Sequence, residues 1–296
     1  MGVVVSAYDP ELDRRVALKV LHPQRAASTD ARERLIREAK AMAKLRHPNT
    51  VTVYEVGTHS GQIFLAMEYA EGGSLREWLG EPRTQAEVID AFVAAGRGLA
   101  AAHDAGMVHR DFKPENVLIG DGGLVQVTDF GLVNASVSST AGGSEEAAGL
   151  TLTGSVLGTP AYMSPEQHRG RKLDGRTDQF SFCVALWEAL AGERPFRGQT
   201  VGELRAAVLD GDSVKLPRLS SVPTRVRHLI KRGLAKEPEE RFPSMHELLD
   251  ELARDEGDAE IGRRTRSVLI GLMGTLWTVM PLVMALRDAP LPTVQT

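Results

Sequence analysis

His109, Arg110, Asp111, Lys113 and Asn116 fall within one eight-residue run, and Asp129 follows thirteen residues after Asn116. Between the last two lie two short apolar runs, Val117 to Ile119 and Leu124 to Thr128, separated by Gly120-Asp121-Gly122-Gly123. That arrangement predicts a tight antiparallel hairpin. A hairpin returns its two ends to one place, so the Asn116 amide oxygen and the Asp129 carboxylate come side by side. Both are hard oxygen donors, suited to a Mg²⁺ ion that carries phosphates. An isolated Asp or Lys is usually a solvated surface charge. This grouping, at this spacing, is not plausibly accidental.

A second constellation lies near the start of the chain. In Val16-Ala17-Leu18-Lys19, strand alternation puts Ala17 and Lys19 on one face, a small residue beside a cation where a flat base and its phosphates fit. On the helix predicted from Asp30, Leu35, Glu38, Met42 and Leu45 share a face at i, i+3, i+7 and i+10. A carboxylate on an apolar, inward face needs a partner. Lys19 is the obvious candidate; the alternative is an accidental edge charge.

The elements that must position these groups follow from patterning. Val3 to Tyr8 and Val16 to Leu21 predict a hairpin around Asp9-Pro10-Glu11-Leu12-Asp13. A helix from Asp30 to Arg46, with Asp30 and Glu33 as a capping pair, stops at His47-Pro48-Asn49. Strands at Val51 to Val56 and Gln62 to Tyr69 complete a small β-rich unit. Beyond Glu71-Gly72-Gly73 the chain becomes helical: Thr84 to Ala105, ended by Gly106, then an all-round apolar run from Asp178 to Ala191 that predicts a buried helix. Further helices are expected at Val201 to Leu209, Pro223 to Leu234 and Ser244 to Arg254. Asn134 to Gly149, rich in Ser, Ala and Gly, cannot build a core and is expected to be mobile.

The strings H-R-D-x-K-x-x-N from His109 and D-F-G from Asp129, in that order and spacing, resemble those of bacterial protein serine/threonine kinases of the eukaryotic-like, Hanks type. Gly158-Thr159-Pro160-Ala161-Tyr162-Met163-Ser164-Pro165-Glu166 resembles the end of that family's activation segment, with Ser-Pro-Glu in place of the commoner Ala-Pro-Glu. The resemblance covers roughly Gly2 to Arg254. It implies an α+β, two-lobed kinase fold: a small β-rich lobe at 1–70 and a larger helical lobe at 71–256, with an activation segment at 129–166. By that resemblance Asp111 is the base or orienting carboxylate, Lys113 neutralises charge on the transferred phosphoryl group, and Asn116 and Asp129 hold the metal. Thr159 hydrogen-bonds the catalytic Asp and Lys. The nucleotide site takes Ala17, the Lys19 to Glu38 pair, Met67 as gatekeeper, Glu68 to Ala70 as hinge, and Leu118. The implied cofactors are ATP and Mg²⁺, with Mn²⁺ as an alternative, and the implied partners are proteins offering Ser or Thr hydroxyls. Glu166 pairs with Arg241, and Asp178 braces the catalytic loop. Arg110 beside the catalytic Asp resembles kinases switched on by phosphorylation of this segment, which predicts autophosphorylation at Thr151, Thr153 or Ser155, with Thr153 foremost.

The sequence departs from the family at its beginning. Such kinases open with a G-x-G-x-x-G-x-V loop whose backbone covers the phosphates, and Met1-Gly2-Val3-Val4 matches only its last glycine and the start of the next strand. Either the start is assigned too late, or the molecule lacks its phosphate lid and binds ATP weakly. Three classes of function follow: an active kinase, a pseudokinase scaffold, or a small-molecule phosphotransferase of related fold. The segment from Gly158 to Glu166, resembling a platform for protein substrates, disfavours the last.

The remaining features concern location. Ser267 to Leu286 is a run of twenty residues without a charge, preceded by Arg263-Arg264-Thr265-Arg266. A helix of that length spans about 30 Å, a bilayer's hydrocarbon core. The alternative, a final buried helix of the soluble domain, is disfavoured by the lack of any polar face. The expected order is a basic juxtamembrane linker at 257–266, a transmembrane helix at 267–286 and a short tail at 287–296. That places a single-pass protein in the cell inner membrane with its kinase domain cytoplasmic. Gly271 with Thr275, or Gly274 with Thr278, offers a small-xxx-small face for self-association. No secretory signal peptide is expected, and the lone Cys183 excludes an internal disulfide. With a net charge of -4 there is no general electrostatic reason to bind nucleic acid.

Overall fold

Period-two apolar patterning lays four strands into one antiparallel sheet. In the computed structural model, which describes residues 2–21, 29–130, 159–210 and 222–254, these are β1 (Val3–Asp9), β2 (Arg14–Val20), β3 (Val53–His59) and β4 (Gln62–Glu68), in the spatial order β1-β2-β4-β3. The register sets Ala17 opposite Met67 and Lys19 opposite Leu65. Val16, Ile63, Leu65 and Met67 are buried, while Val3, Val4, Val5 and Tyr8 on the edge strand are exposed. Helix α1 (Thr29–Met42) contributes Leu35, Ala39 and Met42 to the core, a stripe at i, i+4 and i+7. The helix begins at Thr29, so Asp30, expected as its cap, lies one residue inside it. The helix also ends one turn earlier than the periodicity predicts. Leu45 continues the apolar spacing, but its amide bonds to the Met42 carbonyl in a tight turn, since Pro48 ahead disfavours continued helix.

The segment after that turn ties the sheet to the rest of the molecule. Val51 N–H donates to the Val127 carbonyl at 3.0 Å, Val127 N–H to the Asn49 carbonyl at 2.9 Å, and the Asn49 side-chain amide to the Val125 carbonyl at 2.8 Å. Residues 49–51 thus form a third rung beside the hairpin β5 (Val117–Ile119) and β6 (Val125–Val127).

Two capping boxes start the helical part. Ser74 and Glu77 open the short α2 (Leu75–Trp78), and Thr84 and Glu87 open α3 (Gln85–Asp104); in each the hydroxyl accepts from the third residue's amide while its carboxylate returns to the cap. Past α3, Gly106 adopts φ +73°, the left-handed turn that glycine permits without strain. A third box, Ser164 with Gln167, opens α4 (Pro165–His168). Helix α5 (Gly175–Ala191) is buried at every position from Thr177 to Trp187 and is surrounded by α3, α7 (Thr224–Gly233) and α8 (Met245–Leu252), with α6 (Val201–Asp210) lying beyond. Its Phe182 ring meets Phe92 of α3 at 5.4 Å and Phe112 of the catalytic run at 5.7 Å, so one aromatic cluster joins the middle of the core to the site.

Residues up to Ala253 form one unit; of the second, Arg254–Thr296, only Arg254 is described. Among the described residues no helix is long and apolar enough to cross a membrane. The predicted span 267–286, its basic linker, the tail, the Ser/Ala/Gly-rich stretch and Thr151, Thr153 and Ser155 lie outside the described residues.

Candidate active site

The hairpin does what its spacing requires. Thr128 N–H donates to the Asn116 carbonyl at 2.9 Å, which sets Asp129 beside Asn116. Asn116 is buried and its Nδ2 donates to the Asp111 carbonyl at 2.7 Å and to Asp111 Oδ2 at 3.2 Å. Both bonds use the amide nitrogen, so the hard oxygen of the amide is engaged in neither. Lys113 Nζ lies 2.9 Å from Asp111 Oδ2, both side chains being under a tenth exposed. A buried carboxylate and a buried ammonium are each costly alone and tolerable together. The pair therefore holds Asp111 in one orientation.

Two non-glycine residues here sit in the left-handed region, Arg110 at φ +66° and Asp129 at φ +69°. Such backbone costs about 1–3 kcal/mol and persists only where the surroundings impose it. For Arg110 the constraint is visible at both ends: its N–H donates to Asp178 Oδ1 at 2.8 Å and its carbonyl accepts from Gln167 Nε2 at 2.7 Å. His109 donates its N–H to Asp178 Oδ2 at 2.8 Å, and its ring is bound between the Thr128 carbonyl at 2.8 Å and the Asp111 amide at 3.2 Å. The amide must donate to Nδ1, so the proton sits on Nε2. Burial alone raises the pKa of the fully enclosed Asp178 carboxyl, but its donors, His103 foremost, more than offset this and hold it below the usual carboxylate range.

From the small sheet, buried Lys19 reaches Asp129 Oδ1 at 2.5 Å. The partner expected for Lys19, Glu38, is instead 3.6 Å from Arg110 Nη1. The expected pairing is corrected on this point. The left-handed turn at Arg110 carries its side chain toward α1, where it meets the half-buried Glu38, while Asp129 projects toward Lys19. Burial, partly offset by Arg110, holds the Glu38 carboxyl above its ordinary pKa, and its Oε2 has no hydrogen-bond partner among the described residues.

The other anticipated residues fall around this centre. Met67 is buried and its sulfur accepts from Thr128 Oγ1 at 3.9 Å. Glu68 Oε2 accepts from the Thr52 amide and from Gln126 Nε2 at 3.0 Å, so its carboxylate is held by the sheet and by β6. Ala17 and Leu118 are partly buried against the core, Ala70 is half-exposed beyond β4, and Thr159 opens a short 3₁₀ turn, Thr159–Tyr162. Glu166 and Arg241 form a buried two-pronged pair at 2.7 and 2.9 Å.

Similarity to known proteins agrees with this geometry. The family description "Protein kinase domain" matches residues 1–252. The chain belongs to the protein kinase family. Among its kinase relatives, serine/threonine-protein kinase PknL of Mycobacterium tuberculosis is 41% identical over 247 residues, covering 81% of this chain and 59% of that protein. Serine/threonine-protein kinase PrkC of Bacillus subtilis is 34% identical over 254 residues, covering 84% of this chain and 37% of that protein. This kinase chain thus spans less than two thirds of those relatives' lengths. The crystal structure of a point mutant of the Mycobacterium tuberculosis PknI kinase domain superposes with a TM-score of 0.61 at 27% identity, covering 85% of this chain and 89% of that one.

Three residues of this kinase site escape a reading of motifs alone. His103 and Gln167 hold the catalytic loop through Asp178 and Arg110. Arg76 on α2 joins Glu115 of the loop at 2.9 Å to Glu188 of α5 at 3.0 Å. Only Gln167 left a trace in the sequence, as the last residue of a Ser-x-x-Gln capping box.

The donor set also fits the divalent ion that kinases use. Among the described residues no cluster of three or more His, Cys, Asp or Glu side chains forms a cage. Mg²⁺ needs none: it keeps several waters and is held by one or two carboxylates plus substrate phosphates. Asp129 with the amide oxygen of Asn116 would be such a partial shell.

Proposed function

We propose that this chain is an ATP-dependent protein serine/threonine kinase, moving the γ-phosphate of ATP to Ser or Thr hydroxyls of proteins. The observation that carries the proposal is the buried, mutually bonded set Asp111, Lys113 and Asn116, fixed next to Asp129 and Lys19. In this reading the acceptor O–H lies against Asp111, which orients it and takes its proton as the oxygen attacks the γ-phosphorus. The bond to the β–γ bridging oxygen breaks and ADP leaves with that electron pair. Lys113 holds the carboxylate in place and offsets negative charge on the moving phosphoryl group. Asn116 and Asp129 would hold a Mg²⁺ ion, which would supply further charge neutralisation on the phosphate oxygens. Lys19 provides the cation on the nucleotide side.

We propose further that the kinase autophosphorylates at Thr151, Thr153 or Ser155. We also propose that 267–286 anchors it in the inner membrane with its catalytic part cytoplasmic, and that copies associate through the small-xxx-small face. A second reading, a scaffold without turnover, has one observation in its favour: Lys19 engages Asp129 and not Glu38. Labelled ATP with a generic basic protein separates the two. Asp111→Asn should lower transfer about 10²–10⁴-fold, the usual contribution of a positioned base, measured at a temperature where both proteins are folded, since the substitution also removes the charge facing buried Lys113 and lowers stability. Equal labelling by parent and variant would refute the kinase reading. Intact mass after incubation with MgATP, compared with a Thr151/Thr153/Ser155 triple Ala variant, tests autophosphorylation; equal incorporation refutes it.

A further inference from the structure

The left-handed peptide at Arg110 sets the direction of Asp111; Gln167 holds its carbonyl, and one carboxylate holds its N–H together with that of His109. Asp178 is fully buried and accepts three hydrogen bonds: Arg110 N–H on Oδ1 and His109 N–H on Oδ2, both at 2.8 Å, and His103 Nε2 on Oδ2, also at 2.8 Å. The first two come from the loop being positioned. His103 is the only one of the three donors that lies outside it, on the last turn of α3. Since Asp178 can only accept, the His103 Nε2 carries a proton.

The fold leaves a fitted slot for this imidazole. The His103 side chain is 15% exposed. Gly175, the first residue of α5, faces the ring: a Cβ there would lie 2.8 Å from Nδ1 and 3.0 Å from Cγ and Cε1, closer than real contacts allow. Any side chain at 175 would displace the ring, so the glycine and the histidine belong to one arrangement. Asp174 caps α5 through the Arg176 amide at 2.9 Å, which fixes the helix start against which the ring lies.

We propose that His103 is a positioning residue for catalysis, acting through Asp178 on the backbone of His109 and Arg110 and hence on the aim of Asp111. Without it, Oδ2 keeps a single donor among the described residues and the buried carboxylate loses the one side-chain donor they supply. Asp178 then shifts, and the strained Arg110 peptide is free to relax toward ordinary φ. A displacement of about 1 Å in the reacting geometry is enough for a loss on the order of 10²-fold. Nucleotide binding, which rests on Lys19, Met67 and the hinge, should be spared.

The test uses the full chain and three variants. His103→Leu keeps the bulk and removes the donor, His103→Gln places an amide N–H at a similar reach, and Gly175→Ala expels the ring by a separate route. In steady state, His103→Leu and Gly175→Ala are expected to lower kcat at least tenfold with KM for MgATP within twofold, and His103→Gln to recover kcat to within fivefold of the parent. The turnover arm rests on the kinase reading, so hydrogen exchange of the His109 and Arg110 amides is measured on the same proteins. Protection should fall in His103→Leu and Gly175→Ala and persist in His103→Gln. If the parent shows no turnover, the kinase reading fails while the exchange result still decides the role of His103. Unchanged protection with kcat within twofold of the parent in His103→Leu overturns the inference. So does a His103→Gln variant as impaired as His103→Leu. Should His103→Leu not fold, the comparison of His103→Gln with His103→Asn, whose shorter amide falls short of Asp178, replaces it. Equal behaviour of that pair overturns the inference as well.

Discussion

Arg241→Met should be among the most damaging single substitutions outside the catalytic set. Its guanidinium is fully buried, donates to both Glu166 oxygens at 2.7 and 2.9 Å, and also satisfies the carbonyls of Arg176 at 2.8 Å and Ala235 at 2.9 Å. Removing one member of a buried ion pair costs about 3–5 kcal/mol, because the other charge stays behind without its partner. Three abandoned carbonyls, that of Lys236 at 3.3 Å included, push this case toward the upper end. For a folded unit of this size each kcal/mol moves Tm by about 2–4 °C, so the variant should melt roughly 6–20 °C lower. Glu166→Gln removes the charge left stranded, and the double variant should cost less than the sum of the singles by about 1–3 kcal/mol. Burial raises the Glu166 carboxyl and Arg241 more than reverses this, leaving its folded pKa depressed. A depressed carboxylate stabilises the fold above its unfolded pKa, ordinarily 4.5, and loses that contribution as pH falls through the folded value. The difference between parent and Arg241→Met should therefore be flat near neutrality and shrink in acid. Calorimetry across pH measures both quantities. Strict additivity of the two substitutions, or a gap that widens on acidification, would refute the reasoning.

Three further outcomes are expected. Gly98→Ala would place a Cβ 2.2 Å from the Asn49 carbonyl oxygen, so urea unfolding should show a loss of about 1–3 kcal/mol; a neutral or stabilising effect would contradict the close approach. Burial pushes the Cys183 thiol up to about 12, so it should resist a thiol reagent at pH 8 in the folded protein and react promptly in denaturant, and fast native labelling would oppose this. Tyr162 donates its hydroxyl to Glu188 at 2.6 Å, and Tyr162→Phe should cost about 1.5–3 kcal/mol in thermal or urea unfolding; a loss under 0.5 kcal/mol would show that Arg76 and Arg194 suffice for that carboxylate.

The parts of this fold legible in sequence are those fixed by local periodicity. The alternation of Val16 to Lys19, the Thr84–Glu87 box ahead of α3 and the glycine turn of the β5–β6 hairpin each declare themselves within a few residues. So does the Asn116 to Asp129 juxtaposition, which needs only hairpin closure. The four-residue helices α2 and α4 carry only the signature of their caps, Ser74-x-x-Glu77 and Ser164-x-x-Gln167, and are too short for a periodic signal. What could not be read is choice among partners. Lys19 and Glu38 face the same region, yet Asp129 and Arg110 compete for them, and that competition is decided by two left-handed residues invisible to pattern. Gly98 looks like a weak helix position until Asn49, distant in sequence, is found pressed against it.

The rung formed by residues 49–51 on β6 has a practical consequence. The polypeptide joins its two halves at the exposed link Glu71-Gly72, but backbone pairing at Asn49, Val51 and Val127 joins them again without a covalent bond. A protease nick at that link would leave the pieces clasped. The cut protein should migrate as one particle in a native gel and as two bands only after denaturation.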